Sequence, residues 1–292
     1  MKKCLMCPRG CLVDRASGEK GFCGAGNEYV IGSADLHFWE EPCISGVRGS
    51  GAIFFSGCNL RCIFCQNREI SREIKGISIS EDELISKMLE LQERGAHNIN
   101  LVTPTPYSLF LAKTLEKVRK NLKIPVVYNC GGYESLDALR ALDGLVDIYL
   151  PDFKYFDEKI ARSYSSAPNY AKIAGEAMVE MHRQVGALSL DEEGMARRGL
   201  IVRHLVLPSH RQDSKDVIKY LSEILPANEV TLSLMRQYTP DYADELSPSN
   251  LKRRLTSFEY DDVLNFAISL GFDGFSQEKG SAKKDFTPEF YK

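Results

Sequence analysis

The sequence predicts an α/β fold, a partial (β/α)6 TIM-like barrel with a cysteine-rich N-terminal extension. Three observations carry that expectation. From residue 51 onward, short apolar runs alternate with stretches of helical periodicity, giving at least six βα-type units. Polar residues collect where successive strands should end: Cys58, then Thr103 and Thr105, then Asn129, then Asp152 and Lys154. A barrel gathers such residues around one mouth, whereas an open sheet leaves many of them far apart. The strand count is about six rather than eight, so the barrel is expected to be open.

Each element has a local reason. "AIFFSG" (52–57) is a short apolar run ending in glycine, a strand. "SEDELISKMLELQERG" (80–95) has helical periodicity, with Ser80 and Glu83 at capping-box spacing. "NINLVTP" (98–104) is the next strand and "YSLFLAKTLEKVRK" (107–120) the next helix. "IPVVYNCGG" (124–132) reads as strand and glycine turn, "YESLDALRAL" (133–142) as helix, and "LVDIYLPDFKY" (145–155) as strand. A long helix (168–186), a strand (199–208), a helix (214–225) and a strand with its loop (229–240) follow. A helix over 251–271 and a short strand over 272–278 complete the series. The expected organisation is a cysteine-rich segment at 1–49, the partial barrel at 50–278 and a C-terminal tail at 279–292.

Composition narrows the function classes. Apolar residues make up 43% and charged residues 26% of the 292, with a net charge of −3, so no broad nucleic-acid footprint is expected. No run of 18 uncharged apolar residues marks a membrane span. "MKKCLMCPRGC" lacks the apolar centre of a signal peptide, and a cytoplasmic protein is expected. There are nine cysteines, unevenly placed. Disulfides are unnecessary at this size and disfavoured in a reducing compartment, so clustered thiols point to metal.

"CNLRCIFC" holds Cys58, Cys62 and Cys65 in Cys-x3-Cys-x2-Cys spacing just after a strand. Structural zinc usually takes four ligands. An iron–sulfur cube has four irons, so three local cysteines leave one iron open for a small molecule. "GCNLRCIFCQN" resembles the cluster motif of the radical S-adenosylmethionine (radical SAM) enzymes. Within that superfamily the chain is similar to the uncharacterised homologues of pyruvate formate-lyase activating enzyme. Besides "GAIFFSGCNLRCIFCQN", that similarity is carried by "NLVTPTPY", "VVYNCGGYE", "VDIYLPDFKY", "RHLVLP" and "SLMRQYTP", roughly over residues 50–278.

The resemblance implies a [4Fe–4S] cluster on Cys58, Cys62 and Cys65, with S-adenosylmethionine chelating the fourth iron. One electron, from a reductant such as flavodoxin or ferredoxin, would open the sulfonium and give a 5′-deoxyadenosyl radical that takes a hydrogen atom from substrate. It also implies that Phe64 packs on adenine, Asn129 sits near the methionine or ribose end, and Lys154 meets the cofactor carboxylate. Asp152 would orient Lys154, Arg203 is a second partner for that carboxylate, and Gln237 stands where relatives carry a histidine. His204 should face the other side of its strand and be structural. Where many relatives carry a "GGE" acid for the cofactor amino group, this chain has "TPTPY", leaving Thr103, Thr105 or nearby carbonyls as acceptors.

Upstream, Cys4, Cys7, Cys11 and Cys23 can bind one zinc or an extra iron–sulfur cluster. Cys43 and Cys130 are expected in packing roles. Three functions fit the sequence: activation of a glycyl-radical enzyme, radical modification of another peptide or small molecule, or a non-enzymatic iron–sulfur electron carrier or sensor.

Overall fold

The computed structural model describes residues 3–243, 247–278 and 290. Except for residue 290, the expected C-terminal tail lies outside the described residues. The elements in order are β1 (Tyr29–His37), α1 (Pro42–Ser45), β2 (Ser50–Phe55), α2 (Arg68–Ser71), β3 (Ile77–Ile79), α3 (Glu81–Glu93), β4 (Ile99–Val102) and α4 (Ser108–Val118). They continue with β5 (Val126–Cys130), α5 (Leu136–Ala141), β6 (Ile148–Pro151), α6 (Glu158–Ser165), α7 (Tyr170–Val185), β7 (Ser189–Leu190), β8 (Ala196–Leu205), α8 (Arg211–Ile224), β9 (Thr231–Met235), α9 (Ser257–Ser269) and β10 (Asp273–Ser276).

The strands form one open sheet ordered β10-β9-β8-β6-β5-β4-β2-β1-β3, with β7 attached to β8. From β2 to β10 every neighbouring pair on that path is parallel. β1 runs antiparallel to β2, and β3 antiparallel to β1. The chain is therefore an α/β protein with a partial, open parallel sheet. The strands and helices read from the sequence all form. α3 starts at a complete capping box in which Ser80 accepts from the Glu83 amide and Glu83 reaches back to the Ser80 amide.

Six elements escape the sequence reading: β1, α1, α2, β3, α6 and β7. β1 lies in the segment read only for its cysteines, yet it hydrogen-bonds along the whole of β2. β3 is three residues long and two of them are exposed, so it shows no apolar pattern. α6 had a legible signal: Asp157 accepts from the Lys159 and Ile160 amides, an ordinary N-cap.

Strand alternation sets the layering. On β5, β6 and β8, residues Tyr128, Tyr149, Leu200 and Val202 point to the helices and join the main core. Val127, Ile148, Leu150 and Ile201 point the other way, where Cys43 and Ile44 of α1 pack against them. The next residues along that inner face are Asn129, Asp152 and Arg203. An apolar floor thus carries a polar tier at the carboxyl ends of the strands. Gly132 makes the close approach of β5 and β6 there workable. Its φ is +74°, and a Cβ would lie 2.2 Å from the Asp152 carbonyl oxygen.

Candidate active site

A cleft of about 220 Å³ opens above the polar tier. Its wall includes Cys62, Phe64, Cys65, Asn129, Asp152, Lys154, Arg203 and Gln237, eight positions singled out in the sequence. Cys58, Thr103 and Thr105 do not reach that wall.

The cluster loop follows β2 and is fastened from outside. The amides of Arg61 and Ile63 donate to the carbonyls of Ser165 and Tyr164 at the end of α6, at 3.2 and 2.9 Å. The Asn59 side chain donates to the Tyr133 carbonyl at 2.5 Å. Each of the three sulfurs has a polar neighbour. The Leu60 amide donates to Cys58 Sγ at 3.4 Å, the Ser165 hydroxyl donates to Cys62 Sγ at 2.9 Å, and the Ser71 hydroxyl lies 3.4 Å from Cys65 Sγ. Three soft sulfur donors with hydrogen-bond partners on one short loop suit an iron–sulfur cluster, whose thiolates need such support. Among the described residues, no three Cys, His, Asp or Glu side chains are drawn into the geometry of a single bound ion. All nine cysteines are free of disulfides, and Cys43 and Cys130 are buried.

Phe64 is buried at the cleft wall and meets the Tyr238 ring edge-on at 5.9 Å. Behind the cysteines lies a largely buried charge network. Arg203 Nε donates to Asp152 Oδ1 at 2.9 Å, Nη1 to Glu40 Oε2 at 3.0 Å and Nη2 to Asn129 Oδ1 at 2.5 Å. Lys154 Nζ donates to Asp152 Oδ2 at 2.5 Å. The side chains of Asn100 and Asn129 both donate to Glu40 Oε1 at 3.1 Å. Burial opposes every charge here. Even so, Arg203 and Lys154 hold the Asp152 carboxyl below its ordinary range, and Asp152 holds Lys154 above its own.

Asp152 thus orients Lys154, but Arg203 has three side-chain partners within the protein. The sequence reading sought its partner in a cofactor and missed Glu40. The available signal was Arg203 itself: a cation in an apolar strand needs a carboxylate, and "EEP" just before a helix start supplies one. Glu41, next to it, is buried, and burial pushes its carboxyl up. His204 points away, its Nδ1 2.6 Å from the Phe153 carbonyl oxygen, and burial brings its pKa down to about 4.

The threonines are tied elsewhere. Thr103 takes a left-handed φ of +58°, and its amide donates to the Asn129 carbonyl at 2.8 Å. Thr105 is buried, and its hydroxyl donates to Glu134 Oε1 at 2.6 Å, while the Tyr128 hydroxyl donates to Oε2 at 3.2 Å.

Burial pushes the Glu134 carboxyl up from 4.5 to about 7. The native state therefore holds a proton that the unfolded chain releases at lower pH. Stability should fall as pH rises from about 4.5 to 7, by about 3 kcal/mol for this group, and level off above. Urea midpoints across pH 5–8 should show that slope, flattened in Glu134→Gln. Equal slopes in both proteins would refute the assignment.

The comparison with known families decides the class, because a model of the radical SAM superfamily matches residues 52–247, two thirds of the sequence. The chain belongs to the radical SAM superfamily. This radical SAM protein is 32% identical over 281 residues to an uncharacterized protein of Methanocaldococcus jannaschii, covering 93% of this chain and 76% of the relative. Among solved structures it resembles a radical SAM methyltransferase from Sphaerobacter thermophilus. The TM-score is 0.54 at 10% identity, over 82% of this chain and 70% of that one, a likeness of fold alone. Methylornithine synthase matches with a TM-score of 0.49 at 14% identity, over 74% of this chain and 63% of that enzyme's length. Membership of the superfamily implies a capacity for an iron–sulfur cluster and S-adenosylmethionine.

Proposed function

We propose that this chain reductively cleaves S-adenosylmethionine and uses the resulting radical to abstract a hydrogen atom from a substrate. The observation that carries the reading is the meeting of Cys62 and Cys65 with Phe64, Asp152, Lys154 and Arg203 in one cleft. A [4Fe–4S] cluster held by Cys58, Cys62 and Cys65, with S-adenosylmethionine as its further ligand, would supply the electron that opens the sulfonium. The protein's own residues bind and orient. Lys154, locked to Asp152 and largely out of solvent, presents a fixed positive charge for the cofactor carboxylate. Phe64 and Tyr238 give an aromatic wall for adenine. The Arg203–Glu40–Asn129 cluster keeps Asp152 in place and closes the floor to water.

The direct test is anaerobic. Reduced, reconstituted protein incubated with S-adenosylmethionine should release methionine and 5′-deoxyadenosine, read by chromatography. Methylated products without 5′-deoxyadenosine would reject this reading. Lys154→Ala should weaken S-adenosylmethionine binding about tenfold to a hundredfold, the value of one charge-assisted contact at roughly 1.5–3 kcal/mol. An unchanged dissociation constant would remove Lys154 from the site.

The electron donor we assign is a flavodoxin or ferredoxin type of protein, and the compartment a reducing cytoplasm, since the chain keeps nine free thiols. For the substrate we propose a protein glycine, as in activating enzymes. The motif similarity and a basic amino-terminal segment suited to docking a partner support it. A glycyl-radical doublet in electron paramagnetic resonance, absent from a partner Gly→Ala variant, is the expected signal. Acceleration of cofactor cleavage by a small metabolite, with no such doublet, would point to small-molecule chemistry instead. We further place a second metal on Cys4, Cys7, Cys11 and Cys23.

A further inference from the structure

Two buried hydroxyls stand in line behind one sulfur of the three-cysteine loop. Ser165, the last residue of α6, is fully buried, and its hydroxyl donates to Cys62 Sγ at 2.9 Å. The Tyr155 hydroxyl lies 2.7 Å from Ser165 Oγ and has no other hydrogen-bond partner among the described residues. Tyr155 is buried too, and its ring meets those of Tyr170 and Tyr164 edge-on at 5.5 and 6.4 Å. The two ends of α6 bring the pair together. Tyr155 stands just ahead of the Asp157 N-cap, and Ser165 closes the helix before Ser166 turns left-handed at φ +51°.

The backbone of this turn already fastens the loop, through the Tyr164 and Ser165 carbonyls. The Ser165 side chain adds something neither other sulfur has. At Cys58 the donor is the Leu60 amide at 3.4 Å, within the loop itself. At Cys65 the half-buried Ser71 hydroxyl lies 3.4 Å away. Only Cys62, of the three, meets a fully buried hydroxyl at 2.9 Å. Two hydroxyls can satisfy each other without a sulfur, so the polarity of the chain of bonds is what counts. Ser165 has one proton to give, and a thiolate can only accept. With Cys62 ionised, Ser165 donates to the sulfur and Tyr155 donates to Ser165. Burial holds the Tyr155 hydroxyl well above its ordinary range, so its proton stays in place. A hydroxyl that itself receives a hydrogen bond is polarised and donates more strongly, and a bond to an ionised acceptor is about twice as strong as a neutral one.

We propose that Tyr155 and Ser165 form a hydroxyl relay that donates to the Cys62 sulfur and raises the reduction potential of the iron–sulfur site. This role rests on the [4Fe–4S] reading of Cys58, Cys62 and Cys65. Reduction places more negative charge on the ligating sulfurs, so a donor fixed on one of them stabilises the reduced form more than the oxidised one. Neither Tyr155 nor Ser165 reaches the cleft wall, so both are positioning residues that act through Cys62.

The test is a redox titration of reconstituted full-length protein, read by electron paramagnetic resonance. Ser165→Ala keeps both carbonyl clamps and removes only the donor. Its midpoint should fall by about 59 mV, a tenfold change in the one-electron equilibrium. Ser165→Thr, which keeps the hydroxyl, should hold the wild-type midpoint. Tyr155→Phe should shift it less, in the same direction, and should add nothing in the Ser165→Ala background, because its effect passes through that hydroxyl. Electron–nuclear double resonance of the reduced wild type should show a coupled proton that disappears in deuterated buffer and in Ser165→Ala. A merely structural role moves neither the potential nor that proton. Should Ser165→Ala take up less iron than the wild type, Tyr155→Phe and the proton coupling carry the test. Equal midpoints in wild type and Ser165→Ala, both with full iron, would overturn the relay alone. Wild-type protein that takes up no iron on reconstitution would overturn it together with the cluster reading.

Discussion

With Cys58, Cys62 and Cys65 all replaced by alanine, reconstituted protein is expected to lose about four irons per chain and to show only background cleavage of S-adenosylmethionine. The effect should be complete because no other thiol can stand in. Cys130 is buried in the main core on the helix side of β5, and the amino-terminal cysteines lie outside the cleft wall. The fold should survive, since the loop is held by backbone bonds from Arg61 and Ile63 to the end of α6 and by Asn59, none of which uses a sulfur. Iron analysis, Mössbauer spectroscopy and circular dichroism together check this. Retained cleavage with folded, iron-free protein would remove the three-cysteine loop from the chemistry.

Arg203→Ala should cost about 3–5 kcal/mol of stability, the most of any single substitution in the cleft. Its guanidinium neutralises two largely buried carboxylates, Asp152 and Glu40, with 16% and 10% of their side chains exposed, and orders Asn129. Removing it leaves Lys154 alone against Asp152, and Glu40 with only the amide donors of Asn100 and Asn129. A buried carboxylate without a cation is far costlier than an exposed one. Exposed pairs such as Arg162 with Glu158 should contribute under about 1 kcal/mol by comparison. Urea unfolding of the metal-free protein is the measurement. A loss for Arg203→Ala as small as that of a surface pair would mean that the network carries little of the stability.

Much of this architecture is written in local pattern. The alternation of apolar runs and capped helices follows from side-chain periodicity, and a capping box such as Ser80–Glu83 is complete within four residues. The polar residues at strand ends were visible for the same reason: position along a strand fixes which face a side chain takes. What stayed hidden was hidden by distance in the chain. Glu40 and Arg203 are 163 residues apart and meet only because β1 pairs with β2 and sends the chain under the barrel into α1. Ser165 reaches Cys62 across 103 residues from a helix that the reading omitted.

The sequence by itself determined the α/β alternation, the three-cysteine spacing and the candidates Phe64, Asn129, Asp152, Lys154, Arg203 and Gln237, because each rests on local periodicity or on a short motif. Only the tertiary structure decided how those residues are used. It bound Arg203 to Glu40 and Asp152, turned the Thr105 hydroxyl to Glu134, and tied Arg9 of the amino-terminal segment to the Asn59 carbonyl in the cluster loop. The physical reason is that a buried charge or hydroxyl takes whatever partner lies within about 3 Å once the chain has closed, and no local pattern encodes that neighbour.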